Sequence, residues 1–487
     1  MKSVEIKYTN LFINNEFVPA KSGKTFEVIN PATLEKLADV AEAEEADVDS
    51  AVLAARKAFH RNSAWRKLDP SGRSQLINKL ADLIERDQEI LSTIETMEVG
   101  KPLIESKYSV GLAVQVLRHY AAWCDKFFGE TCPAPGNLIS MTRKEPVGVV
   151  GQIIPWNGPI TMLGWKWGPA LAAGCTIVLK PAEDTPLGAL HIASLVLEAG
   201  FPPGVINVVP GYGRTAGAAI ASHMDINKVA FTGSIPTGKL IMAAAANSNL
   251  KRVTLELGGK SPLVVCEDFD LDKAAEISYR GIFANAGQIC VAPSRVFVHE
   301  SIHDAFLEKL VAKAKSRKVG NPLETGIEQG PQVNEAMFKR VINYIEIGKT
   351  EGAKLVAGGK PLDKKGYFIE PTVFADVTDS MRIAKEEIFG PVLCVLKYKT
   401  MDEVIDRANN THFGLASGIL TNDINKAMTY ASAIESGLVW VNGYMSMSLS
   451  SPFGGYKQSG IGRELGRYGL ENYLETKTIT INISPAI

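Results

Sequence analysis

The chain has 487 residues, more than one hydrophobic core usually supports, so we expect two or three structural units. Its residues are 46% hydrophobic and 22% charged, which is typical of a globular protein and argues against disorder. The 52 Lys and Arg residues nearly balance the 53 Asp and Glu residues, so the charge indicates neither a nucleic-acid nor an anionic-membrane partner.

Signals for secretion, membrane insertion and metal binding are weak. The N-terminal residues Met1–Tyr8 lack a basic region followed by an apolar stretch, which argues against a secretory signal. The longest weakly apolar stretch, 158–179, is interrupted by Lys166 and glycines and predicts a buried helix and strand. The six cysteines contain no C-x-x-C pair and the seven histidines are dispersed. We therefore expect no disulfide, no metal and a reducing cytoplasm.

Up to about Lys144 the chain carries helical patterns, in which apolar residues return every three or four positions, as in Leu76–Ile84. From Val147, β-branched runs alternate with stretches of helical length, the pattern of βαβ units around a parallel sheet. These runs are Val147–Ile154, Thr176–Leu179, Val205–Val209, Lys228–Phe231 and Arg252–Leu257. They predict a doubly wound nucleotide-binding layer.

The alternation restarts after Gly258-Gly259. A short apolar run at Pro262–Val265, a helical pattern from Leu271 and another run at Arg295–Val298 predict a second α/β unit. At the C-terminus, Tyr473–Ile483 predicts a strand that needs a partner edge, and another subunit is one way to supply it.

The most informative blocks are Leu255–Lys260 and Gly287–Cys290. Four more blocks are informative by their order and spacing along the chain, namely Ile154–Asn157, Phe231–Ser234, Glu387–Pro391 and Pro452–Gly455. Together they resemble the aldehyde dehydrogenase superfamily across essentially the whole chain, in particular its cytosolic, mitochondrial and retinal-type branch. The resemblance implies NAD(P)-dependent oxidation of an aldehyde to a carboxylic acid through a thioester on Cys290.

The resemblance also implies a domain organisation within the α/β class. A Rossmann-like NAD-binding domain is expected over 1-127 and 145-258, and a second α/β catalytic domain over 259-458. A small β oligomerisation arm, which bridges subunits, is expected over 128-144 and 459-487. A homodimer or a homotetramer is therefore expected.

A lone cysteine such as Cys290 is most often an inert, buried side chain. This one follows Asn285–Gln288, a glycine-containing turn that can bring the backbone close to a substrate. Aldehyde oxidation needs a soft nucleophile that adds to the carbonyl carbon, and a thiolate does so well. The resemblance assigns this role to Cys290.

Addition to the carbonyl creates a negative oxygen, which N–H donors stabilise by roughly 3 kcal/mol each. The resemblance gives this role to the side-chain amide of Asn157, just past a strand ending at Ile154, and to the backbone N–H of Cys290. An ordinary turn residue is the alternative for Asn157. Glu256 lies at an apolar strand end, where burial raises the pKa of a carboxyl. By resemblance it activates the water that hydrolyses the thioester, which favours a free acid over transfer to coenzyme A.

The cofactor signals are of unequal strength. The glycines of Gly211–Gly217 approach G-x-G-x-x-G but have one residue too many and follow a later strand, so they are weak. Phe231–Ser234 precedes a predicted helix that starts near Pro236, and a helix N-terminus favours pyrophosphate, as the family arranges it. Lys180 and Glu183 match the pair that holds the adenine ribose. A carboxylate there repels a 2'-phosphate, so NAD is expected over NADP.

Glu387 and Phe389 match the residues that position the nicotinamide ribose and ring. Without the other blocks they would be a helix-end charge and a core aromatic. The predicted cofactor-binding residues are Ile154, Pro155, Trp156, Lys180, Glu183, Gly213, Gly217, Phe231, Gly233, Ser234, Leu257, Glu387 and Phe389.

Members of the family that oxidise small aliphatic aldehydes often carry an aromatic residue directly after the catalytic asparagine and another six positions before the cysteine. This chain has Gly158 and Ala284 there. Because an aromatic side chain buries about 150–250 Å², their absence predicts a wide tunnel for bulky aromatic, isoprenoid or long-chain aldehydes. Refilling by neighbouring loops is the alternative. The predicted lining is Gly158, Met162, Trp165, Ala284, Ile289, Met445, Phe453 and also Met447.

Two other functions are compatible with this fold. One is a thioester-forming reductase or a dehydrogenase that acylates coenzyme A, against which Glu256 argues. The other is a structural, crystallin-like protein, which would need none of Cys290, Asn157 and Glu256.

Overall fold

Twenty strands and sixteen helices lie within residues 4–483, which the computed structural model describes. The strands are β1 (Leu11–Ile13), β2 (Glu16–Val18), β3 (Thr25–Ile29), β4 (Lys36–Ala41), β5 (Thr131–Cys132), β6 (Leu138–Pro146), β7 (Val149–Ile153), β8 (Thr176–Lys180), β9 (Ile206–Val208), β10 (Lys228–Thr232), β11 (Arg252–Glu256), β12 (Pro262–Val265), β13 (Arg295–His299), β14 (Lys354–Ala357), β15 (Thr372–Ala375), β16 (Val392–Tyr398), β17 (Ala416–Leu420), β18 (Leu438–Val441), β19 (Gly460–Ile461) and β20 (Leu474–Asn482). The helices are α1 (Glu45–Phe59), α2 (Ala64–Lys67), α3 (Pro70–Arg86), α4 (Gln88–Val99), α5 (Leu103–Ala121), α6 (Pro159–Ala173), α7 (Leu187–Ala199), α8 (Ala218–Ser222), α9 (Ile235–Asn247), α10 (Leu271–Phe283), α11 (His303–Ser316), α12 (Glu335–Thr350), α13 (Arg382–Lys385), α14 (Met401–Asn409), α15 (Ile424–Ala433) and α16 (Gly466–Glu471). None of these helices is long and apolar enough to cross a membrane.

The first sheet has the strand order β19-β11-β10-β7-β8-β9-β1-β2. Strands β7 to β11 pair in parallel, and the predicted βαβ runs coincide with them to within one or two residues. Their residues are largely buried, as in β8, because helices cover both faces of the sheet. From β7 the chain winds to one side through β8 and β9 and to the other through β10 and β11. The crevice at this reversal, between β7 and β10, is where such sheets bind ligands.

Helix α6 follows the central strand β7 and has clear start and stop signals. Pro159 occupies its first turn, where a missing N–H costs nothing, and Gly174 ends it with a φ of 91°. The helix is buried along almost its whole length. Residues at its N-terminus, which begins just after Asn157, line a cavity at this crevice.

The second sheet has the strand order β14-β15-β16-β13-β12-β17-β18. All of its neighbouring strands pair in parallel except β14 with β15. The chain crosses between the sheets once it leaves β11, and residues 257–261 lead straight into β12. As a result, the carboxyl edge of the first sheet faces the amino edge of the second. The predicted α/β fold class is confirmed.

The predicted C-terminal strand is β20, and it pairs along nine residues with β6, from Leu474↔Pro146 to Asn482↔Leu138. Strand β5 completes this three-stranded sheet, which we call the arm. The partner edge of β20 is thus supplied by the same chain. Gly460–Ile461, which the sequence interpretation assigns to the arm, instead adds the edge strand β19 to the first sheet.

The N-terminal part, for which the sequence predicts helices, also contains two antiparallel hairpins, β1–β2 and β3–β4. Their strands are only three to six residues long, so the period-two pattern is short. A local signal was present at the first turn, since Asn14 and Asn15 have φ values of 55° and 65°. Asparagine is favoured in such two-residue hairpin turns.

Candidate active site

A cavity of about 1040 Å³ opens between the facing edges of the two sheets. Three loops and strand ends deliver the predicted catalytic residues to it. Asn157 follows β7, Glu256 is the last residue of β11, and Cys290 lies in the segment before β13. The fold therefore brings all three side chains into one cavity.

The turn before Cys290 has an unusual backbone. Asn285, Ala286 and Gly287 have φ values of 45°, 52° and 74°, so three successive residues are left-handed. A Cβ atom on Gly287 would lie 2.0 Å from the carbonyl oxygen of Gly390, a distance that no side chain tolerates. Glycine is required here because of this close approach.

Asn157 is fixed by hydrogen bonds to the same turn. Its Nδ2 donates to the carbonyl oxygen of Gln288 at 2.9 Å. Asn285 Nδ2 donates to the Asn157 carbonyl oxygen at 3.0 Å and to the Gln288 carbonyl oxygen at 3.3 Å. The second amide hydrogen of Asn157 has no acceptor among the described residues, which leaves it available to an oxygen in the cavity.

Cys290 is partly exposed in the cavity wall. Its removal from bulk water, together with the carboxylates of Glu256 and Glu387, raises the pKa of the thiol to about 12. The backbone N–H groups of Val291 and Cys290 act in the opposite direction. The thiol is therefore protonated at neutral pH in this state of the protein.

Glu256 is a buried carboxyl at the carboxyl edge of the first sheet. Its Oε2 has no hydrogen-bond partner among the described residues, and a Cβ atom on Gly454 would lie 2.7 Å from its Oε1. Burial, reinforced by the nearby charge of Glu464, raises its pKa well above the ordinary value. Burial at this strand end, expected from the sequence, is confirmed by the structure.

A buried ion pair lies behind Glu256. Lys166 of α6 binds the carboxylate of Glu464 and lowers the pKa of Glu256, whereas Glu464 itself raises it. In the sequence, Lys166 only marks an interruption of an apolar stretch. No local pattern signals its pairing with a residue 298 positions away.

Seven of the predicted cofactor residues line the cavity, namely Pro155, Trp156, Gly233, Ser234, Leu257, Glu387 and Phe389. The rings of Trp156 and Phe389 meet edge to face with centroids 5.4 Å apart. Glu387 Oε1 accepts a hydrogen bond from the N–H of Gly259 at 3.0 Å, and burial raises its pKa. These contacts join the loops of both sheets.

The other six predicted cofactor residues are not part of the cavity lining. Ile154 is buried beneath it, and its N–H donates to the Lys180 carbonyl oxygen at 3.1 Å. Lys180 Nζ and Glu183 Oε2 are 3.2 Å apart, and the Lys180 side chain packs beside Gly217. The Phe231 ring lies under Gly233, and Gly213 starts the widened helical turn Gly213–Gly217.

All eight predicted tunnel residues line the cavity. The rings of Trp165 and Phe453 pack edge to face, with centroids 5.0 Å apart. A Cβ atom on Gly158 would have only Thr161 within 4 Å, so the space next to the Asn157 amide is open.

The aldehyde dehydrogenase family model matches residues 17–479. The chain belongs to the aldehyde dehydrogenase family. It is 58% identical over 486 residues to aldehyde dehydrogenase 1A1 of Ovis aries, and this alignment covers 99% of this chain and 97% of that protein. It is 55% identical over 482 residues to retinal dehydrogenase 2 of Homo sapiens, covering 99% and 93% of the two chains. A solved aldehyde dehydrogenase of Bacillus cereus, described as an NAD+ complex, superposes with a TM-score of 0.97 at 51% identity over 99% of this chain and 98% of that one.

The predicted family resemblance is therefore confirmed, and the protein is an oxidoreductase that acts on aldehydes. The crystallin-like alternative loses its support.

Several residues of this aldehyde dehydrogenase cavity escaped the sequence interpretation. Helix α5 contributes Glu105, Ser109 and Leu112 to one wall, the segment just before it contributes Lys101, and β18 contributes Trp440. In the sequence, Lys101 only marks the end of a helical run. The helical period shows which face of α5 is apolar but not which distant segment it meets.

One cluster of possible metal ligands, Cys266, Glu267 and Asp268, occurs within the described residues. Glu267 forms an ion pair with Lys426, and Asp268 accepts hydrogen bonds from Thr421. These contacts account for both carboxylates without an ion.

Proposed function

We propose that this aldehyde dehydrogenase uses NAD to oxidise a bulky aldehyde to the free carboxylic acid through a thioester on Cys290. The observation that carries the proposal is the convergence of Cys290, Asn157 and Glu256 on one cavity. A nucleophile, an oxyanion donor and a base are the three groups that such a reaction requires.

In the first step, the Cys290 thiol releases its proton to water in the cavity, its sulfur forms a bond to the carbonyl carbon, and the π electrons of the carbonyl move to its oxygen. The free amide hydrogen of Asn157 and the backbone N–H of Cys290 donate to this oxyanion. The N-terminus of α6, which begins two residues after Asn157, adds a partial positive charge on the same side. Each donor is worth roughly 3 kcal/mol in the transition state.

The residues at the start of α9 fit a dinucleotide. Thr232 Oγ1 is buried without a hydrogen-bond partner among the described residues. A side chain at Gly233 would collide with the Phe231 ring, so glycine keeps the backbone close to that ring. Ser234 caps the helix, whose N-terminal N–H groups suit a pyrophosphate. NAD, when bound, accepts the hydride that the substrate carbon loses.

The preference for NAD over NADP rests on Glu183. Its carboxylate stands beside Lys180, where it would accept a hydrogen bond from a ribose 2'-hydroxyl and would repel a 2'-phosphate. The similar Bacillus cereus structure, described as an NAD+ complex, supports NAD as a ligand of this fold.

In the last step, Glu256 accepts a proton from water, and the resulting hydroxide attacks the thioester carbon. The carbon–sulfur bond breaks, and Cys290 regains a proton as the acid leaves. A raised pKa suits this role because it makes the carboxylate a stronger base. This step distinguishes the proposal from acyl transfer to coenzyme A.

The substrate class rests on the width of the tunnel. The Cβ position of Gly158 is open, and the tunnel walls include methionines, which adapt to irregular shapes. We therefore assign bulky aromatic, isoprenoid or long-chain aldehydes to it. The name of the similar retinal dehydrogenase 2 supports the isoprenoid class.

Assembly and location are part of the proposal. The arm presents Ile139 and Ile481 at exposed positions, which favours pairing between subunits in a homodimer or a homotetramer. A cytoplasmic location is supported by a similar protein of Macroscelides proboscideus named aldehyde dehydrogenase, cytosolic 1.

The test measures NADH formation with aldehydes from acetaldehyde to bulky aromatic and isoprenoid compounds, with and without coenzyme A. Wild type should be active without coenzyme A, should prefer the bulky aldehydes and should lose activity on Cys290→Ala. Cys132→Ala, which removes a partly exposed cysteine of the arm, is the matched control and should stay active. Activity of Cys290→Ala, or dependence on coenzyme A, would contradict the proposal.

A further inference from the structure

Glu105 contacts the catalytic turn from a distant part of the chain. It lies in α5, and its Oε2 accepts a hydrogen bond from the backbone N–H of Asn285 at 2.9 Å, across 180 positions of sequence. The same side chain lines the cavity. Nothing in the reaction proposed above uses this carboxyl.

Asn285 in turn holds the oxyanion donor. Its Nδ2 donates to the carbonyl oxygen of Asn157 and also to that of Gln288. The Gln288 carbonyl oxygen is the acceptor that fixes the Asn157 amide. The position of the Asn157 amide therefore depends on where Asn285 is held.

The turn is strained, so something must hold it. A left-handed conformation costs a residue other than glycine roughly 1–2 kcal/mol, and Asn285 and Ala286 both adopt it. Such strain persists only where the surroundings over-determine the backbone. Gln332 Nε2 holds the carbonyl oxygen of Ala286 at 3.2 Å, and Arg317 Nη2 holds that of Phe283 at 2.7 Å.

Glu105 holds the turn at a backbone N–H, that of Asn285, rather than at a carbonyl oxygen. Hydrogen bonds from N–H groups to a carboxylate are stronger than those to neutral acceptors. Burial raises the pKa of Glu105, whereas the cations of Lys101 and Arg317 lower it and so favour the charged form. Lys101 is anchored on its other side by Glu95 at 2.9 Å and by Ser109 at 2.7 Å.

We propose that Glu105 is a positioning residue that aims the Asn157 amide at the oxyanion by fixing Asn285. The inference rests on the proposed function, because it requires Asn157 to be the oxyanion donor. Glu105 itself exchanges no proton and touches no reacting atom.

The experiment compares Glu105→Ala, Glu105→Asp and Glu105→Gln with Asn157→Ala and with the double variant Glu105→Ala/Asn157→Ala. Lys107→Ala, on the exposed face of the same helix, is the matched control. Steady-state kcat is measured with one bulky aromatic aldehyde, KM is measured for that aldehyde and for NAD, and Tm is recorded for every variant. Glu105→Asp withdraws the acceptor by one methylene but keeps the charge, so it provides the same test if Glu105→Ala does not fold.

We expect Glu105→Ala and Glu105→Asp to lower kcat at least about tenfold with little change in KM for NAD, because the loss falls on the transition state. Glu105→Gln keeps an acceptor and should retain kcat to within about threefold. The double variant should be no slower than Asn157→Ala to within about threefold, because Glu105 acts through that amide.

Multiplicative losses in the double variant would overturn the inference, since Glu105 would then act independently of Asn157. Full activity of Glu105→Asp, or a Glu105→Gln variant as slow as Glu105→Ala, would also overturn it. Full activity of Asn157→Ala would overturn the oxyanion role in the proposed function and the inference with it. Multiplicative losses alongside a slow Asn157→Ala leave the proposed function intact.

Discussion

Burial acts in the same direction on three ionisable side chains of the cavity. It raises the pKa of Cys290 to about 12 and also raises the pKa of Glu256 and Glu387. Burial therefore shifts all three groups toward their neutral forms in the protein alone. These shifts lower the charge of the cavity wall, which favours apolar ligands.

The raised pKa of Glu256 predicts how hydrolysis depends on pH. Below this pKa the carboxyl is protonated and accepts no proton from water, so the hydrolytic rate should rise as pH increases through it. We expect Glu256→Gln to lower kcat by about a hundredfold or more and to abolish that rise. The measurement is kcat between about pH 6 and 9.

The first turnover supplies the control for this prediction. Glu256→Gln should still release a rapid burst of NADH, since thioester formation precedes the step in which Glu256 acts. Loss of the burst together with kcat would assign Glu256 to thioester formation instead.

At the scale of elements, the turn Asn285–Gly287 joins α10 to the segment that carries Cys290. Gly287→Ala places a Cβ atom against the Gly390 carbonyl oxygen, so it should lower Tm and abolish activity, because the backbone of Cys290 must move. Gly23→Ala is the matched control, since its φ of 68° is similar and nothing lies within 4 Å of its Cβ position. Similar Tm losses in both variants would show that left-handed strain matters and the contact does not.

The start of α6 sets the width of the tunnel. Gly158 has an ordinary φ of −149°, and its Cβ position is open, so Gly158→Phe should fold and narrow the tunnel. We expect the kcat/KM ratio of a bulky aromatic aldehyde to acetaldehyde to fall at least about tenfold. Leu197→Phe, which adds a ring on the exposed face of α7, is the control. An equal loss for both aldehydes would argue against a role in specificity.

At the scale of the molecule, the reaction site lies between two sheets and the arm lies outside both. Ile481 is 45% exposed and stands opposite Ile139, which is 39% exposed. If the arm joins subunits, Ile481→Asp should shift the protein to smaller assemblies, because a charge would be buried in the interface. Light scattering after size-exclusion chromatography measures this. Ile424→Asp, at a position on α15 that is 68% exposed, should leave the mass unchanged.

Local pattern and motif spacing were enough to predict much of this protein. The β-branched runs between Val147 and Leu257 marked the parallel strands of the first sheet, since strands buried on both faces are continuously apolar. The blocks around Asn157, Glu256 and Cys290 lie at strand ends and in turns, where parallel sheets place their ligands. The chain order of these blocks therefore indicated the family before any contact was known.

Contacts between distant segments were decided by the tertiary structure alone. Glu105 reaches Asn285 across 180 positions, and Lys166 reaches Glu464 across 298. The raised pKa of Cys290 likewise depends on burial by several elements and on carboxylates from two separate segments of the chain. A sequence pattern reports which face of an element is apolar, because that face repeats along the chain. It does not report which residue of another element meets that face, because packing in three dimensions sets that pairing.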